Sequence, residues 1–209
     1  MSLPLTQRRS GSSTREEGSP AIRRLLLLLD ADVLYPIRIC DFILTAASLD
    51  MLHRPIVSDT ILDEAAHNIV ADRSDLTASQ LERRFAAVRR STDGHSMAVP
   101  SRFHDDALIN HKDRHVVAAA RFHNVDVIVS NDKRLRREVN KWTAKCRSPL
   151  PAWSADELAS QLRDESQTGV IGVIAAMAAR MTDPPRTAEE VLRVMIQSLP
   201  SLSGLAATK

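Results

Sequence analysis

Apolar residues in this chain occur as short unbroken runs, separated by longer stretches in which they recur every three or four positions. Five consecutive leucines occupy positions 25–29, and a second, largely apolar run covers 125–129. Short apolar runs bounded by polar residues are typical of strands buried on both faces of a parallel sheet. We therefore predict strands over 22–30 and 125–129, with shorter ones near 55–57 and 97–99.

The stretches between these runs have the spacing of amphipathic helices. Apolar residues fall on one helical face within 39–52, 60–71 and 113–123. Capping boxes, in which Ser or Thr is followed three residues later by Gln or Glu, mark helix starts at Thr77/Gln80, Ser154/Glu157 and Thr187/Glu190. Strands that alternate with helices indicate βαβ units with right-handed crossovers. The predicted fold is a three-layer α/β/α sandwich with a central parallel sheet over 22–165.

Both ends of the chain differ from this central part. Residues 1–21 are rich in Ser, Gly, Pro and charges, without the apolar core of a secretory signal, and are predicted to be a disordered tail. Residues 166–209 are predicted to be a helical extension, with two helices over 170–181 and 187–199 that cover the core or contact a partner. No apolar stretch approaches the roughly 18–20 residues that span a bilayer.

Composition narrows the class of protein. The chain has 209 residues, 44% of them hydrophobic, so it can build a core without disulfides. Aromatic residues make up only 3%, which argues against base-stacking platforms. The net charge of +2 does not by itself indicate nucleic acid. The two cysteines, Cys40 and Cys146, form no CxxC pattern, and we expect a cytoplasmic chain with reduced thiols.

Acidic residues follow the two strongest predicted strands. Asp30 ends the first strand, Asp132 follows the 125–129 strand, and the carboxyl ends of parallel strands lie at one edge of a sheet, where ligands bind. Glu64 and Asp113 can reach that edge from flanking helices, and Asp32 is a possible helper. Two like charges about 4 Å apart repel by roughly 4 kcal/mol at an effective dielectric near 20. Mg²⁺ or Mn²⁺ would offset this repulsion, and such a site favours phosphodiester hydrolysis.

Each of these acids alone also has an ordinary structural explanation. Aspartates are common in turns and at helix N-termini, and a lone glutamate on a helix is usually solvated. The prediction therefore depends on the coincidence of four placements. Ser130 and Asn131, between the strand and Asp132, can bind a phosphate or shape the turn, and both interpretations stay open.

A stretch rich in Lys and Arg follows Asp132 in the sequence. The basic residues of this stretch are Lys133, Arg134, Arg136, Arg137, Lys141, Lys145 and Arg147, with Glu138 as the single acid. They suit an RNA backbone held beside the acids, or a solvated helix face. Four further arginines, Arg83, Arg84, Arg89 and Arg90, are expected in solvent, with an extension of the RNA track as the alternative. His111 and His115 have zinc-ligand spacing but lack further ligands, so we expect a surface pair.

Four fragments of the chain together resemble the PIN-domain ribonucleases. They are LDADVLYP at 29–36, ILDE at 61–64, DRHVVAAA at 113–120 and DVIVSND at 126–132. Each fragment is short, but their order and spacing are fairly specific. They look most like the VapC-type toxins of bacterial toxin–antitoxin pairs, over roughly 25–160. The helical extension after about 165 lies outside the family domain.

The resemblance implies an endoribonuclease that depends on Mg²⁺ or Mn²⁺ and leaves 5′-phosphate and 3′-hydroxyl ends. Its metal ligands would be Asp30, Glu64, Asp113 and Asp132. Asp32 stands where many relatives carry a neutral polar residue, so it is either an extra ligand or a neighbour. The fourth position can also be aligned at Asn131. The resemblance further implies a cognate antitoxin that blocks the site, and often a homodimer.

Two other functions are compatible with parts of the same pattern. A strand ending in Asp30-Ala31-Asp32 also resembles the opening motif of haloacid-dehalogenase-type phosphatases, with Asp30 as the nucleophile, and 129–131 is similar to their second motif. No convincing downstream lysine and acidic pair completes that pattern. The third possibility is a non-catalytic α/β module that binds RNA or a partner through the basic stretch and the C-terminal helices.

Overall fold

A four-stranded sheet forms the centre of the protein. The computed structural model describes residues 24–51, 53–73, 75–92, 99–100, 103, 109–146 and 150–207. The strands are β1 (Leu25–Leu29), β2 (His53–Ile56), β3 (Val127–Val129) and β4 (Ala152–Trp153). Their order is β2-β1-β3-β4, and every neighbouring pair is parallel. The predicted α/β class and central parallel sheet are confirmed.

The leucine run lies in the middle of this sheet. Leu27 pairs with Pro55 on one side and Val127 on the other. Leu27, Leu28 and Leu29 have no solvent exposure, as expected for a strand covered on both faces. Asp126 fixes the register from the other end of β3, because its carboxylate accepts a hydrogen bond from the Leu26 amide at 2.9 Å. The carboxyl ends of β1 and β3 are therefore held side by side.

Helices connect and flank the strands. They are α1 (Ala31–Leu34), α2 (Ile37–Ser48), α3 (Asp59–Asp72), α4 (Ala78–Ser91), α5 (Arg114–Phe122), α6 (Lys133–Cys146), α7 (Ala155–Glu165), α8 (Gln167–Ala179) and α9 (Ala188–Ser198). Residues His111–Asp113 and Pro200–Ala207 form 3₁₀ segments. All three predicted capping boxes are present, at the starts of α4, α7 and α9. This set of helices around a parallel sheet is compatible with a three-layer sandwich.

The C-terminal helices pack on the sheet-containing part of the chain. Helix α8 lies against α2 and against α9, and its Val173 and Met177 are buried. Beyond its end, Arg180 donates hydrogen bonds to Asp41 at 2.7 Å and Thr45 at 2.6 Å on α2. Of the two roles considered for the extension, covering the core is the one that these contacts support.

Some predictions fall outside the described ranges. The tail over 1–21 lies outside them, as does most of the strand predicted over 97–99, and Val99 itself is not in a strand. Cys40 is a buried free thiol, and the side chain of Cys146 is not among those described. Within the described ranges, none of the helices is long and apolar enough to cross a membrane.

Candidate active site

Two acids lie at the carboxyl edge of the central strands. Asp30 follows β1 directly, and its backbone N–H donates to the carbonyl of Val129 at 3.0 Å. Its carboxylate accepts from the Ala31 amide at 2.8 Å, which starts α1, and the residue is only 7% exposed. Asp132 starts α6 in the same way, because its Oδ1 accepts from the amides of Arg134 at 2.6 Å and Leu135 at 3.2 Å. The fold therefore fixes both carboxylates through backbone contacts.

A third acid, Asp32, links the two strand ends. Its Oδ2 accepts a hydrogen bond from the Ser130 hydroxyl at 3.2 Å, and its Oδ1 accepts from the Asn131 amide at 3.0 Å. Ser130 is fully buried, and its Oγ accepts from the Asp132 amide at 3.1 Å. The Asn131 side chain accepts from the amide of Ala155 at 3.1 Å. For Ser130 and Asn131 these contacts favour the role of shaping the turn over that of binding a phosphate.

Two more acids approach from helices. Glu64 lies on α3 with a half-exposed side chain, and its Oε2 is 3.0 Å from Nε2 of His115 on α5. The two atoms are close but are not aligned as a hydrogen bond, so the contact is an ion pair when the imidazole is protonated. The other ring nitrogen faces the Lys112 carbonyl at 2.8 Å. Asp113 ends the 3₁₀ segment and occupies the N-cap position of α5, where its side chain makes no capping hydrogen bond.

The histidine pair differs from the prediction. The side chain of His115 is only 16% exposed and contacts Glu64, so it is not part of a surface pair. Arg84 also differs, because its guanidinium is half-buried and donates to the carbonyls of Leu34 and Tyr35 instead of lying in solvent. These contacts hold the end of α1, the helix that carries Asp32. Sequence spacing contains no signal for either contact, since both join separate elements.

Mutual repulsion connects all five acids. Burial, followed by the charges of Asp32 and Glu64, raises the pKa of Asp30 to about 7, although hydrogen bonds from Ser130 and Ala31 lower it. Burial and the charge of Asp132 raise the pKa of Asp32.

Asp113, which lies before α5, is also affected by the charges of neighbouring acids. Burial, followed by the charges of Asp132, Glu138 and Glu64, raises the pKa of Asp113. Each of the five acids therefore interacts electrostatically with two others. The pairs are Asp30 with Asp32, Asp32 with Asp132, Asp132 with Asp113, Asp113 with Glu64, and Glu64 with Asp30. We call these five residues the acidic cluster.

The donor chemistry of the acidic cluster suits a hard divalent cation. Its potential ligand atoms are carboxylate oxygens, the atoms that Mg²⁺ and Mn²⁺ prefer. Asp132 keeps its Oδ2 without a hydrogen bond to any described residue, so this atom is available to a ligand. With the side chains as placed, no three His, Cys, Asp or Glu residues among those described form a recognisable metal site.

The predicted RNA-binding cations on α6 separate into two groups. Arg134 pairs with Glu138 at 3.0 Å, and Arg136 pairs with Glu157 at 3.0 Å. Glu138 also accepts from the Asn110 amide at 3.0 Å. Glu138 is not among the site residues predicted from the sequence, although its position as the single acid in a basic stretch is a usable signal. Both arginines have acidic partners, which makes them less available to phosphates.

The other cations of α6 form an exposed row. The row consists of Lys133, Arg137, Lys141 and Lys145, spaced four residues apart, and we call it the α6 cation row. None of its members forms an ion pair with a described residue. The opposite face of α6 is buried through Leu135, Val139 and Trp142. The row begins next to Asp132, and Arg147 beyond its end lies outside the described residues.

Comparison with known proteins assigns no family to this chain. No family model, no curated protein and no solved structure matches it. The function is therefore argued from the acidic cluster and its surroundings.

Proposed function

We propose that this protein is a divalent-cation-dependent endoribonuclease of the PIN type, acting in the cytoplasm as the toxin of a toxin–antitoxin pair. The observation that carries the proposal is the acidic cluster at the carboxyl edge of β1 and β3. Acids whose charges repel one another are costly to keep together, and the cost is offset when a cation binds among them. The four sequence fragments that resemble PIN domains contain all five of these acids.

Four members of the cluster would hold Mg²⁺ or Mn²⁺: Asp30, Glu64, Asp113 and Asp132. The bound cation would lower the pKa of a water and offset charge that develops on the phosphate. The chain itself holds the carboxylate ligands in position. Asp30 is held by backbone bonds at a nearly water-free strand end, and the capping bonds of Asp132 leave its Oδ2 free. Glu64 and Asp113 complete the set from α3 and the segment before α5.

The α6 cation row supports RNA as the substrate. A spacing of four residues places successive charges about 6 Å apart along the helix, so one helix face can follow a run of phosphates. The row begins beside Asp132, which puts the first cation next to the acidic cluster. Because aromatic residues make up only 3% of the chain, we expect affinity to come from charge more than from base stacking.

A groove on the helical surface supports a protein partner. It lies between α2, α4 and α8, has a volume of about 610 Å³, and is lined by apolar side chains that include Leu44 and Met177. Arg38 and Arg83 lie along it and form no ion pair with a described residue. An acidic amphipathic helix fits such a surface. We propose the cognate antitoxin as this partner, while homodimer formation follows only from the family resemblance.

Cleavage of RNA by the purified full chain tests the proposal. Total RNA is incubated with Mg²⁺, with Mn²⁺ and with EDTA, using wild type, Asp30→Asn and the matched control Asp63→Asn. Asp63 is an exposed acid on α3, next to Glu64 in the sequence. We expect cation-dependent fragments from wild type and control, and none from Asp30→Asn. Full activity of Asp30→Asn would contradict the site.

The remaining alternatives have their own readouts in the same samples. A phosphatase with Asp30 as nucleophile would carry a phosphoryl group on that residue after incubation with a phosphate ester, which mass spectrometry detects. A non-catalytic module would bind RNA without cleavage and keep its affinity when Asp30, Glu64, Asp113 and Asp132 are all replaced by Ala. Either result, together with no cleavage by wild type, would replace the nuclease.

A further inference from the structure

We propose that Asp32 is a positioning residue, which fixes the turn that carries Asp132 and is not a fifth ligand of the cation. The part of this proposal that concerns the cation rests on the proposed function. The part that concerns the turn rests on hydrogen bonds alone. Asp32 stands on α1 after β1, and the turn follows β3, so the contact joins residues about one hundred positions apart in the chain.

Both carboxylate oxygens of Asp32 are used within this contact. One accepts from the Ser130 hydroxyl at 3.2 Å and the other from the Asn131 amide at 3.0 Å. The Ser130 oxygen in turn accepts from the Asp132 amide at 3.1 Å. The orientation of the Asp132 backbone therefore depends on Asp32 in two ways: through the bonded amide of the neighbouring Asn131, and through the Ser130 hydroxyl.

Burial makes this arrangement specific. Ser130 has no solvent exposure, and its own amide is bonded to the carbonyl of Trp153 on β4 at 2.9 Å. Without Asp32, the Ser130 hydroxyl and the Asn131 amide would lose their acceptor in a place with little water to replace it. The turn would then rearrange, and the carboxylate of Asp132 would lose its fixed direction toward the acidic cluster.

Substitution by asparagine separates the two roles of Asp32. Asparagine keeps an oxygen acceptor for the Asn131 amide and offers an NH₂ group to the Ser130 oxygen. The Ser130 hydroxyl can then turn its hydrogen to the Asp30 carboxylate, with which it also interacts, so the turn keeps its contacts. The substitution also removes the negative charge, which would strongly weaken a direct bond to the cation. A positioning residue therefore tolerates Asp32→Asn but not Asp32→Ala, whereas a ligand tolerates neither.

Hydrogen exchange of two backbone amides, in the full chain without cation or RNA, tests the turn. In Asp32→Ala, exchange of the Asn131 and Asp132 amides should become about 10- to 100-fold faster, as expected on loss of bonds to a charged group. In Ser130→Ala only the Asp132 amide should change strongly. Asp32→Asn and the control Asp63→Ala should resemble wild type. Unchanged exchange in Asp32→Ala would overturn the proposal, and if that variant does not fold, Asp32→Asn and Ser130→Ala decide it.

Mn²⁺ affinity, measured by isothermal titration calorimetry, tests the ligand role. Residues that orient metal ligands typically affect metal affinity by about 10- to 100-fold, so we expect that loss in Asp32→Ala. Asp32→Asn removes only a neighbouring charge and should show a clearly smaller loss than Asp30→Asn. A loss in Asp32→Asn as large as that in Asp30→Asn would make Asp32 a ligand and overturn the proposal. If wild type binds no Mn²⁺, the proposed function fails, while amide exchange still decides the role of Asp32 in the turn.

Discussion

The acids at the strand ends and the acids on the helices differ in how the fold holds them. Asp30 is 7% exposed and Asp132 accepts two backbone amides, so both carboxylates are fixed by the sheet and by the helices they begin. The side chain of Glu64 is 45% exposed, and within the described part of the chain its one ion-pair contact is with His115. Asp113 makes no capping bond. The strand ends therefore provide a rigid half of the acidic cluster, and the helices provide an adjustable half.

This difference predicts unequal effects of removing one charge. Asp30→Asn should lower kcat/KM for RNA cleavage by about 1000-fold or more, because no neighbouring group can take the place of a fixed, buried carboxylate. Glu64→Gln and Asp113→Asn should lower it by about 10- to 100-fold. Raising the Mn²⁺ concentration should recover the two helix variants and leave Asp30→Asn inactive. Kinetics over a Mn²⁺ series measure this.

The control for these measurements is Asp63→Asn, which removes an exposed acid from the same helix as Glu64. It should match wild type at every Mn²⁺ concentration. Equal losses in all three cluster variants, with equal recovery by Mn²⁺, would show that the two halves of the cluster do not differ.

Burial of Asp30 predicts a second effect, on stability. Its pKa is raised from the ordinary 3.8 to about 7 by burial and by the charge of Asp32. The folded state thus binds this proton more tightly than the unfolded chain, and the stabilisation is complete below pH 3.8 and lost as pH rises through 7. Because one pKa unit corresponds to about 1.4 kcal/mol, the free energy of unfolding of the cation-free protein should fall by roughly 2–4 kcal/mol over that window.

Urea unfolding of wild type and Asp30→Asn at several pH values isolates this contribution. The variant should lack it, so its stability relative to wild type should rise between pH 4 and 8. Acids with lowered pKa, such as Glu157 and Glu190, act in the opposite direction and cancel in the difference. A difference between the two proteins that does not change with pH would show that Asp30 is not strained by its burial.

The two halves of the cluster also differ in how far the sequence predicts them. The edge position of Asp30 and Asp132 follows from apolar runs and from the geometry of parallel strands, and the capping boxes follow from pairs three residues apart. The hydrogen bonds of Asp32 to Ser130 and Asn131 join distant parts of the chain, so no local pattern contains them. The same is true of the contact between His115 and Glu64. Strand β4, with only two residues, has no apolar run to mark it.

A third prediction concerns the α6 cation row, whose side chains are exposed on a helix with a buried opposite face. Removing one cation that binds a phosphate should reduce the salt dependence of binding to single-stranded RNA by about 0.7 in log Kd against log salt. Lys141→Gln combined with Lys145→Gln should therefore reduce the slope by about 1.4. Filter binding with the Asp30→Asn variant as background measures affinity without cleavage.

A matched control removes the same charge from another helix. Arg83→Gln combined with Arg90→Gln takes two exposed arginines from α4, and the slope should stay that of the Asp30→Asn background. Equal slopes for both double variants would show that the α6 cation row does not track the RNA.

The smallest effect on cation binding is expected for substitution of His115, which contacts the half-exposed Glu64. The His115 ring is oriented by the Lys112 carbonyl at 2.8 Å, and its other nitrogen lies 3.0 Å from the Glu64 carboxylate. A partly exposed ion pair contributes about 0.2–1 kcal/mol, so His115→Phe should weaken Mn²⁺ binding by roughly two- to fivefold. In a Glu64→Gln background the same substitution should have a smaller effect, because only the electrostatic interaction of His115 with Asp113 then remains. An additive loss in the double variant, measured by titration calorimetry, would mean that His115 acts on the site independently and that the adjustable half of the cluster includes it directly.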